Sequence, residues 1–220
     1  MAEQTDEDEN YRSALRSMFA EGGDGDGDSS SSSSDDDHPT ISSHAWTDDS
    51  GSIAVTYHLA LTAPGHGDTL WNSSSCIAEH LLRPHLRDRM FGPRAKEAGG
   101  VTRWPPRRAL EFGAGAALPS MILLREGAGT VVMTDRITNE ETFEALEMSS
   151  EKNCRRWDIS EEERERRAVV RAHTWGEDAE KLLEAGGRDE EDANSDGGGR
   201  FDLLVASDCI YNPTYHEALL

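Results

Sequence analysis

The stretch Leu110-Glu111-Phe112-Gly113-Ala114-Gly115-Ala116-Ala117-Leu118-Pro119, followed by a second apolar run that ends in Asp135, constrains this chain more than any other feature. It reads as an apolar strand with an acid near its end, a Gly-x-Gly turn and the start of a helix. Bare backbone at such a turn lets main-chain N–H groups approach a ligand where a side chain would collide, which is the construction of a nucleotide-type pocket. The second run, Thr130-Val131-Val132-Met133-Thr134-Asp135, puts a carboxylate at a neighbouring strand tip. It lies about twenty residues beyond the turn, the spacing at which such folds hold ribose hydroxyls. A lone Gly-x-Gly is weak evidence; the strand, turn, helix and spaced acid together point to one site.

From Arg108 onward the pattern alternates. Strands are predicted at 109–112, 130–134, 168–173 and 201–206, and helices at 119–126, 140–153 and 177–185. Strands that alternate with helices pair in parallel through crossovers, so the fold class is α/β, a Rossmann-like doubly wound and mostly parallel sheet. Ahead of it, 44–46 and 53–59 flank Asp48-Asp49-Ser50-Gly51, turn chemistry that predicts an N-terminal β-hairpin within 41–66. A helix is predicted over 75–86, with Ser73 to Ser75 available to cap it. Ser160 to Arg167, all Glu and Arg after the serine, reads as an exposed connection with local charge pairs.

Composition separates the core from its surroundings. The net charge is -21 in 220 residues, and residues 1–50 carry fourteen acids against Arg12 and Arg16. Residues 1–40, with their Gly-Asp alternation and serine run, cannot bury enough apolar area to offset chain entropy and are expected to be disordered. Within them Tyr11, Leu15, Met18 and Phe19 fit one face of a short helix, either transient or a binding motif. Residues 186–199 read as an acidic, Gly-rich loop. The domain proper is therefore 41–220.

This charge balance argues against nucleic-acid binding, which needs clustered Lys and Arg. The basic residues from Arg83 to Arg108 form either a solvated face or a docking surface for an acidic protein. Cys76, Cys154 and Cys209 have neither disulfide nor zinc spacing, and the eight histidines lack metal spacing, so no metal is expected. Without a basic leader, an apolar signal region or a run of membrane-spanning length, a cytoplasmic protein, or a nuclear one, is expected. The chain stops at Leu220 in what reads as a helix after the fourth strand. Since doubly wound sheets usually continue, C-terminal strands are expected to be missing, which leaves an apolar edge prone to aggregation.

Trp71, the segment from Glu111 to Pro119, Asp135, Trp175-Gly176 and Ser207-Asp208-Cys209-Ile210-Tyr211, taken in order, resemble the seven-strand S-adenosylmethionine-dependent methyltransferases. The resemblance is closest to the branch of protein lysine and N-terminal methyltransferases that includes those acting on elongation factor 1A and relatives described as nicotinamide N-methyltransferase-like. It spans about 41–220. Leu70-Trp71-Asn72 matches the family's Leu-Trp-Asn/Asp, and 111–119 its Glu-Leu-Gly-Ala-Gly-x-Gly-Leu-Pro turn. Ala117 replaces the third glycine, at a position that mainly governs helix–strand packing.

The resemblance implies S-adenosylmethionine as cofactor, a protein amine as acceptor and a monomeric full-length protein. The implied acceptor is a lysine or an N-terminus, with a translation elongation factor as its expected carrier. Gly113, Ala114 and Gly115 are then expected to offer backbone to the amino-acid end of the cofactor, and Asp135 to bind its ribose. Glu111 either binds that same end through water or caps the turn. Trp175 walls the adenine or packs the core, and Trp71 lies at the cofactor rim or packs its helix. Ser207 joins the cofactor side at a strand end. Asp208 orients the amine and accepts its proton, or caps the strand, and Tyr211 forms an aromatic wall for the amine. Two other readings stand beside this one: a small-molecule N-methyltransferase, and a non-catalytic interaction module with an acidic tail.

Overall fold

The computed structural model describes residues 40–61, 68–91, 104–136, 140–185, 200–209 and 217. The acidic segment up to residue 39, the short helix expected within it, the segment expected as a loop over 186–199, and Tyr211 lie outside these residues. In chain order the elements are β1 Ile41–Thr47, β2 Ala54–Ala60, α1 Asn72–Leu82, α2 Pro84–Phe91, β3 Arg108–Phe112, α3 Leu118–Arg125, β4 Thr130–Asp135, α4 Glu140–Arg156, α5 Glu161–Arg167, β5 Ala168–Ala172, α6 Glu180–Ala185 and β6 Leu203–Ala206.

Turn chemistry builds the hairpin as the sequence indicates. β1 and β2 pair antiparallel from Thr47↔Ala54 to Ile41↔Ala60. The Asp48 carboxylate closes the turn by accepting the N–H of Ser50 at 3.2 Å and that of Ile53 at 2.7 Å. Gly51 supplies the positive φ of 73° that the turn requires. These hydrogen bonds, led by that of the Ser50 hydroxyl, hold the Asp48 carboxyl below its ordinary pKa.

The free edge of β2 meets a helix instead of a strand. Asn153 of α4 accepts the Thr56 N–H at 2.9 Å and donates to the Thr56 carbonyl at 2.5 Å, while Ser149 accepts the His58 N–H at 2.9 Å. A side-chain amide carries the same donor and acceptor pair as a peptide, so it satisfies an edge that would otherwise be an aggregation template. Asn153 is fully buried. Asn153→Ala leaves a buried N–H and C=O unpaired and is expected to cost about 2–3 kcal/mol in a urea melt; a loss under about 0.5 kcal/mol contradicts this role.

The central sheet has four parallel strands in the order β5-β4-β3-β6. The chain runs outward from β3 through β4 to β5, then returns to place β6 on the other side of β3. Because crossovers are right-handed, this reversal puts the intervening helix on the opposite face. The core shows it: Ala109, Val131, Met133 and Val170 face a cluster containing α3, while Leu110, Val132 and Val169 face Leu182 of α6. α3 is buried from Leu118 to Leu124, which accounts for a helix that is apolar almost all round.

Two sequence expectations are corrected. The helix predicted over 75–86 is two helices, α1 and α2, broken at Arg83 with ψ 114°, because Pro84 drives the preceding residue out of the helical region. α1 also begins earlier, at Asn72, so Ser73 to Ser75 lie inside it rather than capping it. The connection 160–167 is the helix α5. Ser160 accepts the Glu163 N–H at 3.2 Å, three glutamates fill the first turn and three arginines follow, an arrangement that suits the helix dipole at both ends. The expected charge pairs are present, Arg164–Glu161 at 2.7 Å and Arg167–Glu163 at 2.6 Å. Arg167 is buried, donating to the carbonyls of Leu124 and Ala128. Elsewhere boundaries shift by a few residues: α6 starts at Glu180 and β6 at Leu203.

Candidate functional site

The carboxyl ends of β3, β4, β5 and β6 share one rim, and the turn after β3 lies beside the reversal in strand order, where open parallel sheets bind ligands. Gly113, Gly115 and Ala117 have φ of 58°, 48° and 50°. Three left-handed residues in five coil the chain tightly, and Ala117, which replaces a glycine, tolerates this at a cost of about 1–2 kcal/mol. The turn is pinned on both sides. Ala114 donates its N–H to the Thr134 carbonyl at 2.9 Å, and Gly115 donates to Asp135 Oδ2 at 2.9 Å.

These bonds alter what the glycines offer. The amides of Ala114 and Gly115 are committed within the fold, so the bareness of the turn supplies room more than donors. A Cβ at Gly115 would meet nothing within 4 Å, whereas one at Gly113 would lie 3.1 Å from Cys209 Sγ and 3.5 Å from Trp175 Cζ2. Gly113 is therefore the floor against which Trp175 and Cys209 close, and Gly115 the open side. Ala116, buried and next after Gly115 in sequence, packs with Tyr57 and Leu59 of β2.

Asp135 faces this turn from the tip of β4. Its Oδ2 holds Gly115 and its Oδ1 accepts the Arg136 N–H at 2.7 Å. Burial pushes its carboxyl above the ordinary value, against the opposing pull of those hydrogen bonds. Glu111 lies deeper, 1% exposed. Its Oε2 accepts both the N–H of Ser120, at 3.0 Å, and the Ser120 hydroxyl, so it satisfies a backbone donor at the start of α3. Its Oε1 is buried without a partner. Burial raises the Glu111 carboxyl from 4.5 to about 8, with the Ser120 bonds opposing and the Asp135 charge adding to it.

The shift of Glu111 has a consequence for stability. A folded acid with a raised pKa keeps a proton that the unfolded chain releases, so its contribution is complete below pH 4.5 and is lost as pH rises toward about 8. Urea melts of the ligand-free protein are expected to weaken over that window, and Glu111→Gln, neutral throughout, to flatten the slope. An unchanged slope in the variant contradicts the assignment. His58 acts in the opposite sense: burial, and then Lys152, lower its pKa from 6.5, so its contribution is lost as pH falls through that value.

At the end of β6 the chain turns back over α1. Ser207, buried, shares its hydroxyl with those of Ser73 and Ser74 at 2.7 Å each. Asp208, at φ 52°, accepts the Ser73 N–H at 3.3 Å and the Ser73 hydroxyl. α1 thus receives its N-terminal acceptor from a residue far away in sequence, since its own N-cap, Trp71, provides none. Trp71, 40% exposed, lies two residues before Ser73.

Cys209 stands among these groups. It donates to the carbonyls of Phe112 and Ser207, and its thiol is pushed up to about 12, first by burial and then by the charges of Glu111, Asp135 and Asp208. Three carboxyl groups on three different segments therefore bear on one buried sulfur. Such a rim complements a cation. Glu111, Gly113, Ala114, Gly115, Asp135, Trp175, Ser207 and Asp208 come together around it, and Trp71 directly precedes the helix whose Ser73 bonds Asp208. The sequence reading missed Cys209, the Ser73–Ser74 pair and His173. His173 continues β5 by donating to the Asp135 carbonyl at 2.9 Å and packs its ring 6.0 Å from that of Phe112.

The model of a lysine methyltransferase family matches residues 55–220, from β2 through the glycine turn, Asp135 and the end of β6. The chain belongs to that lysine methyltransferase family. Over 167 residues this methyltransferase-family chain is 30% identical to the protein N-terminal and lysine N-methyltransferase EFM7 of Cryptococcus neoformans var. neoformans, covering 76% of the chain and 45% of that relative. It is 26% identical over 176 residues to the protein of the same name from Yarrowia lipolytica, covering 76% of the chain and 55% of the relative. A third, from Neurospora crassa, is 26% identical over 166 residues, with 76% and 50% covered. The chain spans about half the length of the curated relatives it matches. Among the described residues no cluster of three or more His, Cys, Asp or Glu could hold a metal ion, and no helix is long and apolar enough to cross a membrane.

Proposed function

We propose that this methyltransferase-family domain transfers a methyl group from S-adenosylmethionine to a protein amine, a lysine side chain or an N-terminal amino group, with a translation elongation factor as acceptor. The observation that carries the reading is the meeting of the two-glycine turn with a strand-tip carboxylate, Gly115 N–H on Asp135 Oδ2 at 2.9 Å. Open space beside Gly115 and the partnerless buried Oε1 of Glu111 fit a ligand whose compact amino-acid end carries an ammonium group. The names of the relatives, which speak of N-terminal and lysine methylation, support the acceptor class.

When bound, S-adenosylmethionine supplies an activated methyl on a sulfonium, so the protein's share is to position the acceptor and exclude water. Asp135 accepts one backbone bond at each oxygen and keeps a lone pair on each for two vicinal hydroxyls. Glu111 and the bare backbone from Gly113 to Gly115 receive the amino-acid end. Trp175, against Gly113, walls the adenine side, and Trp71 and Ser207 close the rim. An amine attacks only when neutral, and a lysine amine is ordinarily charged at pH 7. Asp208, fixed by Ser73, orients the amine and takes its proton, directly or through water. Tyr211, two residues past Cys209, is assigned the aromatic wall.

Incubating the full chain with methyl-labelled S-adenosylmethionine and a whole-cell lysate tests this. Label is expected in the protein fraction, on lysine or N-terminal amines. Label confined to small molecules replaces the acceptor class, and no label from a protein that binds S-adenosylmethionine favours the non-catalytic module.

A further inference from the structure

Glu111 presents an unbalanced account of donors. One oxygen accepts two bonds from Ser120, the other is buried without a partner, and the residue is 1% exposed. A sealed carboxylate oxygen without a donor is costly as an anion, and one proton removes that cost. Among the described residues, the titratable groups that bear on it are Asp135 from β4 and Cys209 beyond β6. Neither brings positive charge. α3 contributes Ser120, and its one charged residue, Arg125, lies at the far end of the helix.

We propose that Glu111 exchanges a proton for a cation: it is a neutral acid in the free domain and becomes a carboxylate when an ammonium or sulfonium ligand enters, so that ligand uptake and proton release are one event. This rests on the methyltransferase reading of the same pocket. The O–H bond at the carboxyl group breaks heterolytically, the electron pair stays on the oxygen, and the proton passes to the buffer. One positive charge enters as another leaves, so Glu111 is never a bare buried anion. The raised pKa of Glu111 agrees with this order of events, and Asp135, a second carboxylate bearing on it, favours the protonated form. Glu111 is in this sense a positioning residue whose charge is set by what it holds.

Calorimetry of the full chain with S-adenosylmethionine, in buffers of different ionisation enthalpy between about pH 5.5 and 6.5, tests the proposal below the range where the ligand's own α-amino group titrates. The wild type is expected to release close to one proton per ligand, so that affinity rises about tenfold per pH unit. Glu111→Gln, if it folds, is expected to bind without that slope and without proton release. Infrared difference spectra of the wild type give an independent readout, the loss of a protonated carboxylic-acid band on binding. Binding with a buffer-independent heat and no such band overturns the proposal alone. The complete absence of binding overturns the methyltransferase reading on which it stands.

Discussion

Asp135→Ala is expected to lower the affinity for S-adenosylmethionine by about 100-fold or more while leaving a folded protein. The carboxylate has two tasks: it fixes the glycine turn through Gly115 and Arg136, and it presents its remaining lone pairs to the ligand. Each hydrogen bond to a charged group is worth about 1.5–3 kcal/mol, so losing two removes about 3 kcal/mol or more. Asp135→Asn keeps one acceptor oxygen and is expected to fall between wild type and alanine. Calorimetry measures both, with circular dichroism melts to show that each variant is folded. Affinity within about threefold of wild type for the alanine variant removes Asp135 from the site.

Gly129→Ala is expected to be the most damaging single methyl in the domain. A Cβ there would lie 2.5 Å from the Arg107 carbonyl oxygen, closer than real Cβ contacts come. The neighbour cannot move cheaply, because Gly129 donates to the Pro106 carbonyl at 3.1 Å and Thr130 donates to that same Arg107 oxygen at 2.7 Å, bonds that set the start of the β3–β4 register. The expected loss is about 3 kcal/mol or more, a fall in Tm of about 6–12 °C. Gly51→Ala is the control: its φ of 73° imposes strain, but nothing lies within 4 Å of its Cβ, and about 1 kcal/mol is expected. If both variants melt alike, the register around Gly129 does not depend on close packing.

What could be read from the chain was what is written locally. The hairpin turn at Asp48 to Gly51, the alternation from Arg108 onward and the glycine turn with its spaced acid each lie within a short window, and each appears at its place. Two local signals were present but overridden: Pro84, which splits α1 from α2, and the Ser160-x-x-Glu163 capping pair, hidden because α5 has no apolar period. The long-range partners carried no such signal. Asn153 bonds Thr56 across 97 positions and Asp208 bonds Ser73 across 135, so only the folded chain shows an amide finishing a hairpin edge or a strand end capping an early helix. The commitment of the Ala114 and Gly115 amides inside the fold is of the same kind, since it depends on where β4 lies.

The most direct test of the central claim is to follow the backbone amide resonances of the isotope-labelled full chain during titration with S-adenosylmethionine. The expected result is saturable shifts centred on Gly113, Ala114, Gly115 and Arg136, together with the Trp175 indole, leaving Ser42 to Thr47 of β1 unmoved. Saturable shifts that cluster elsewhere, with the glycine turn and the Asp135 segment silent, contradict it.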